Sequence, residues 1–383
     1  LIGRIGRKLL DNNIKVIANA GGVNPVACAR EVKRLAPGVK VAVVHGDDVF
    51  GRIDEMIAAG EEMRNLDTGE PLSSIRGQIT SANAYIGAFP LAEALATGAD
   101  VVIAGRCTDT ALTLAPMIHR YGWKETDWDL LAAGTVAGHI VECGAQSTGG
   151  NCQVDWQSIP RLADVGYPIV EAEPDGTFTV TKHPGTGGRV HSSVIKEQLL
   201  YELGDPKHYI TPDCIADFTT IRLQDIDPDR VHVRGIQGAP RTPFLKLSIS
   251  YAWGWKAIGS LVYSWPDALR KAQAADAIVR ERLRQLGLSF DEILTEYFGV
   301  NACHGPVAAR VEDPAEVQLR IGVRGADRKA VDRFTRELIP LVLSGPPTAT
   351  GFGDGRPPVR EVIAYWPALV PRELIQTRVE VIE

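Results

Sequence analysis

What the chain lacks narrows the reading first. Only six of its 383 residues are cysteine, namely Cys28, Cys107, Cys143, Cys152, Cys214 and Cys303. None stand in the close pairs of a zinc site or a CxxC redox motif, so reduced thiols are expected and no metal is assigned. No apolar run reaches the ~18–20 residues that cross a bilayer, and no charged-then-apolar leader opens the chain. The expected location is therefore cytoplasmic, with no membrane partner. Acidic residues outnumber basic ones, 47 to 41, and no basic run is interleaved with aromatics. Nucleic acid is excluded as an expected partner on that ground. Neither a complete GxGxxG nor a GxxxxGK[ST] is present, which leaves no named nucleotide fingerprint. There is no internal repeat or low-complexity segment.

What remains is an ordinary globular composition, 45% hydrophobic and 23% charged, in a chain long enough for two cores. Residues 14–18 and 39–44 are short apolar runs, each followed by a glycine-containing loop and a helical pattern. The run 101–104 repeats this between LAEALATG and ALTLAPMIHRYG. Alternating strands and helices predict an α/β domain over residues 1–155, with a parallel sheet of the doubly wound type. From about residue 152 strand follows strand, at 215–223, 230–235, 244–251 and 256–264. Two helical patterns, PDALRKAQAADAIVRERLRQLG and ADRKAVDRFTRELIPLVL, and late strands at 358–365 and 374–382 complete an α+β domain over 156–383. Ferredoxin-like or split βαβ pieces are expected there.

In parallel sheets ligands collect beyond the carboxyl ends of strands, so the candidate residues lie in those loops. In GRCTDT, Arg106 is a two-point anchor for a carboxylate or phosphate, with an ion pair to Asp109 as the competing role. Thr108 and Asp109 are alternatively helix caps. NAGGVNP, with Asn19, Gly21 and Gly22, has the strand, glycine, helix order of an anion cradle. The segment 134–151, GTVAGHIVECGAQSTGGN, surrounds Glu142, Cys143, Gln146, Thr148 and Asn151 with five glycines, of which Gly149 and Gly150 present amides to an anion. The competing reading is a helix cap and a plain turn. His183 and Gly187 in HPGTGG form a loop that either closes over the site or merely turns. His45, Asp47 and Asp48 make a weak proton-transfer or metal motif that a helix cap explains as well. Asp354 and Arg356 sit in the late loop GFGDGRPP. His119, His139, His208 and His232 are read as structural, and the Trp-rich AWGWKAIGSLVYSW as core.

Taken in order, NAGGVNP, GDD, LDTGEPL, SANAYIGAFPLAEAL, GADVVIAGRCTDTALTLAP, AGTVAGHIVECGAQSTGGN, KHPGTGG, QLLYELGDP and GFGDGRP resemble the acyclic terpene utilisation (AtuA-like) family over essentially the whole chain. The resemblance implies a bacterial cytosolic protein encoded with enzymes that degrade branched, terpene-derived acids as coenzyme A thioesters. It implies no established reaction. Family members begin with a further glycine-rich strand, so a truncated first strand is expected before Leu1. The late motif departs from the family at Asp354.

The combined expectation is an enzyme acting on an acyl-coenzyme A or small carboxylate by lyase, hydratase or hydrolytic chemistry. Coenzyme A would enter only as part of the substrate, and the assembly would be a homo-oligomer. Arg106 holds the anion, Glu142 is the acid or base, Asp109 orients the pair, and the Gly149 and Gly150 amides stabilise an oxyanion. Cys143 is a candidate nucleophile without a recognisable His partner. The alternative is a non-catalytic binding or scaffolding subunit of an acyl-coenzyme A-processing complex. Nicotinamide redox chemistry lacks its fingerprint.

Overall fold

Each expected parallel strand forms where an apolar run meets a glycine-containing loop. In the computed structural model, which describes residues 1–22, 24–309, 311–350 and 355–383, Val16–Ala18 and Val41–His45 both pair in parallel with Val101–Ala104. The fourth position is taken by Arg378–Ile382, which runs antiparallel to Val41–His45. The sheet is thus mixed, closed at one edge by the chain's last strand. Its residues alternate between two cores. Val41, Val43, Val101 and Ile103 pack with Leu9, Ala29 and Ala36 of the first two helices. Ala42, Val44, Val102 and Ala104 pack with Leu91, Leu114, Val136 and their helices. Burial on both faces is why these strands read as continuous apolar runs.

The chain divides into two compact units. The first comprises Leu1–Ser74, Ser81–Ile249 and Trp366–Glu383, the second Ile75–Thr80 and Ser250–Tyr365. The expected boundary near residue 155 falls inside the first unit. The antiparallel sheet of Pro168–Ala172, Phe178–Lys182, Arg230–Arg234 and Arg222–Asp227 puts Phe178, Val180, Val231 and Val233 into the same core as helix Trp128–Glu142. Trp123 Nε1 also donates to the Pro174 carbonyl at 3.1 Å.

In the second unit, strand, helix Ala268–Gln285, strands Glu292–Phe298 and Glu316–Gly325, helix Arg328–Phe334 and strand Ala349–Thr350 follow one another. The long strand Phe244–Ser264 pairs antiparallel with Glu316–Gly325 and with Ala349–Thr350, giving the split βαβ arrangement. Residues 244–251 and 256–264, expected as two strands, are one, because Gly254 takes φ +84° and bends the strand without ending it. The second long helical pattern is instead interrupted, with Arg328–Phe334 followed by Leu341–Ser344 starting after Pro340. Asp354 lies outside the described residues. No helix among the described residues is long and apolar enough to cross a membrane.

Candidate functional site

The loop after strand Val101–Ala104 is fixed along its whole length by backbone. Gly105 N donates to the Val44 carbonyl at 3.0 Å, and Ile86 pairs with the loop through Ile86 N to Arg106 O and Thr108 N to Ile86 O, both 3.2 Å. Asp47, 2% exposed, accepts from the Arg106 amide at 2.7 Å and from Asn83 Nδ2 at 2.9 Å. A Cβ on Gly105 would lie 2.0 Å from Asp47 Oδ1, so only glycine admits this carboxylate. Asp47 of the HGDD run is therefore the latch of the loop, while Asp48 accepts from Phe50 N and His45 pairs with Glu380 at 2.9 Å.

On this frame three of the expected residues come together. Arg106 Nη2 and Asn19 Nδ2 both donate to Asp109 Oδ1, each at 2.9 Å. Arg106 also donates from Nε and Nη2 to its neighbour's carbonyl, Cys107 O. Asp109 Oδ2 and Arg106 Nη1 have no hydrogen bond within the described residues, which leaves one acceptor and one donor on the two paired side chains. The guanidinium carbon lies 4.8 Å from the ring centre of Tyr85, and Lys246 Nζ lies 5.7 Å from the same ring. The competing ion pair between Arg106 and Asp109 thus exists, and it also orients the two groups. Asn19 reaches them because Gly21 is pressed against Pro25 and the Ala104 carbonyl, where a Cβ would meet atoms at 2.5 and 2.8 Å. Gly22, at φ +50°, opens the turn, and Asn24 caps the following helix through Ala27 N.

Glu142 and Cys143 stand at the end of helix Trp128–Glu142. Gly138 lets this helix close on Thr110, where a Cβ would meet Thr110 Cα at 2.6 Å, and Gly134 does the same against Leu114. These two glycines of the 134–151 segment are helix-packing residues, and through Thr110 they bring the helix end alongside the Arg106 loop. Glu142 lies 2.8 Å from Nδ1 of buried His139. No hydrogen bond forms across that contact, while His139 Nε2 sits 3.0 Å from the Gln198 carbonyl. Burial, with the carboxylates of Glu142, Glu202 and Asp109 adding to it, pushes the Cys143 thiol up. A thiol kept protonated chiefly by burial, with carboxylates nearby, is the opposite of an activated nucleophile, and Cys143 is withdrawn from that role.

The glycine turn is also corrected. Gly150 N donates to the Ala145 carbonyl at 2.8 Å and Gly149 N to Gln146 O at 3.4 Å, so neither amide is left for an oxyanion. Thr148 Oγ1 donates to the carbonyls of Ala145 and Gly166, and Asn151 Nδ2 contacts Gln146 Oε1 at 3.4 Å. Gly187 N donates to Asp164 O, and its missing Cβ makes room for the Arg161 carbonyl. His183 Nδ1 sits 2.8 Å from the carbonyl of Pro184. The HPGTGG loop thus packs on residues 160–166, and nothing brings His183 to Arg106.

Sequence reasoning did not single out Tyr85 or Asp213. Asp213, fully buried, accepts from Ala88 N with both oxygens and fits only because Gly87 has no side chain. It fixes the segment whose Ile86 holds the Arg106 loop. Burial pushes its carboxyl up to about 6, against the opposing hydrogen bond from Ala88 and the charge of Arg372.

Fold and site together define an α/β protein with an acceptor–donor pair at the carboxyl end of a largely parallel sheet. The model of the acyclic terpene utilisation family protein AtuA matches residues 3–381, and the chain belongs to that family. No curated protein and no solved structure matches it.

Proposed function

We propose that the first unit binds an acyl ligand of acyclic terpene breakdown, as a free acid or coenzyme A thioester, and acts on it by lyase, hydratase or hydrolytic chemistry. The observation that carries this reading is the shared use of Asp109 Oδ1 by Asn19 and Arg106, which leaves Oδ2 and the arginine's Nη1 unused at the edge where ligands bind. In this reading Nη1 takes the acyl oxygen and Asp109 Oδ2 accepts a proton, with Glu142, held against His139, as the second acid–base group. Coenzyme A, where present, is part of the ligand. The protein works in the cytoplasm as a homo-oligomer.

A non-catalytic binding subunit is the second reading, favoured by the pairing of Arg106 with its own Asp109. The test is turnover of branched acyl thioesters and acids by wild type, Asp109→Asn and Glu142→Gln. Loss of turnover with retained ligand binding supports the enzyme. Binding without turnover in wild type, and unchanged by both variants, supports the subunit.

A further inference from the structure

Large apolar side chains exposed on a soluble surface are ordinary when scattered, and informative when they converge. Leu66, Ile210, Phe244 and Leu369 come from four separate stretches of the chain and are each more than 40% exposed. All four line one cavity of about 320 Å³, which lies wholly within the first unit. Its volume is at the lower end of the ~300–1,000 Å³ typical of small-molecule sites.

Two more lining residues tie this cavity to the Arg106 loop. Tyr85 forms part of the wall and carries the Arg106 guanidinium over its ring at 4.8 Å. Thr108, two residues on from Arg106, also lines it, and its buried hydroxyl has no hydrogen-bond partner among the described residues. A buried hydroxyl without a partner in a residue that lines an apolar cavity is the arrangement expected where a ligand's polar atom completes the hydrogen bonding. An occupant that suits these walls is apolar along most of its length and polar at the end that meets Thr108, beside the Tyr85 ring on which Arg106 stacks.

We infer that this cavity is the hydrocarbon subsite of the protein, holding an aliphatic chain. The chain's polar head lies at Thr108 and the Arg106–Asp109 pair. The inference rests on the reading of that pair as the head-group site and adds where the chain goes. A free aliphatic acid and the acyl part of a thioester share this chemistry. A concavity of this size beside a charged pair fits a small molecule better than a protein partner, which would use a broad face.

The test is calorimetric titration with butyrate, hexanoate, octanoate, decanoate and a methyl-branched decanoate, together with the matching alcohols. Wild type should gain about fourfold in affinity per added methylene until the cavity is filled, and then level off. Phe244→Asp and Leu369→Trp, both at exposed wall positions, should abolish this dependence while melting as wild type does. Thr108→Val should weaken every probe by a similar factor. Arg106→Gln should weaken the acids alone and leave the chain-length slope of the alcohols intact.

A slope unchanged by both wall variants, or no slope in wild type for either series, overturns the inference. A slope that persists while Arg106→Gln has no effect on the acids overturns the head-group reading and leaves the hydrocarbon subsite standing. Should one wall variant fail to fold, the other still decides.

Discussion

Two glycine-containing polar segments of the first unit, 105–110 and 144–151, look alike as sequence and differ as chemistry. In 144–151 the amides of Gly149 and Gly150, the Thr148 hydroxyl and the buried Ser147 hydroxyl all bond to carbonyls of the surrounding chain. In 105–110 the backbone is equally satisfied, by Val44, Asp47 and Ile86, yet side-chain atoms of Arg106, Thr108 and Asp109 are left over. Glycine density marks where backbone must come close, which serves packing as readily as binding. The useful sign of a ligand site is polar capacity that the fold does not satisfy.

The comparison can be broken most severely at its latch. Asp47→Ala removes the acceptor of the part-buried Arg106 amide and of the buried Asn83 Nδ2, and should cost about 3 kcal/mol in chemical denaturation as well as ligand binding. Intact stability would mean that the loop is not held as described.

A second perturbation reaches the loop through Asp213. Its carboxyl is pushed up to about 6 from an ordinary value near 4, so the folded state holds the proton more tightly than the unfolded one. Stability from this group is complete below pH ~4 and is lost as pH rises through about 6, by up to about 3 kcal/mol. Urea unfolding between pH 4 and 7 should show that component in wild type and lack it in Asp213→Asn.

At the other segment, Thr148→Val should cost about 1–2 kcal/mol of stability, since the buried Gly166 carbonyl loses its donor while the Ala145 carbonyl keeps the Gly150 amide, with ligand affinity unchanged. Arg106→Gln should do the reverse. Its pair with Asp109 is partly exposed and is worth about 0.5 kcal/mol, whereas affinity for acidic ligands should fall about tenfold. The smallest effect is expected of Cys143→Ala, whose turnover should match wild type, because burial, helped by neighbouring carboxylates, opposes its thiolate.

The parallel strands were legible because sheets buried on both faces demand unbroken apolar runs, and Val41–Val44 and Val101–Ala104 are that. The loops after them followed, and with them Asn19, Arg106 and Asp109. The extent of the first unit was not legible, because the strands at 168–182 and 222–234 join its core through contacts with helix Trp128–Glu142 that no local pattern encodes. The bend at Gly254 read as a strand end for a similar reason, since glycine breaks alternation whether or not pairing continues. Asp47 reads in the sequence as part of a proton-transfer, metal or capping motif and Asp213 does not stand out at all, because each acts on backbone distant in sequence. Tyr85 escaped because its value lies in being touched by Arg106 and in lining a cavity most of whose other walls come from residues 210–212, 242–246 and 369.

The most direct test of the central claim, that the ligand meets the 105–110 loop and not the glycine turn, is one titration of a branched acyl acid against wild type, Arg106→Gln and Thr148→Val. The account predicts affinity reduced about tenfold in the first variant and unchanged in the second, with stability moving the opposite way. Affinity lost in Thr148→Val and kept in Arg106→Gln would contradict it.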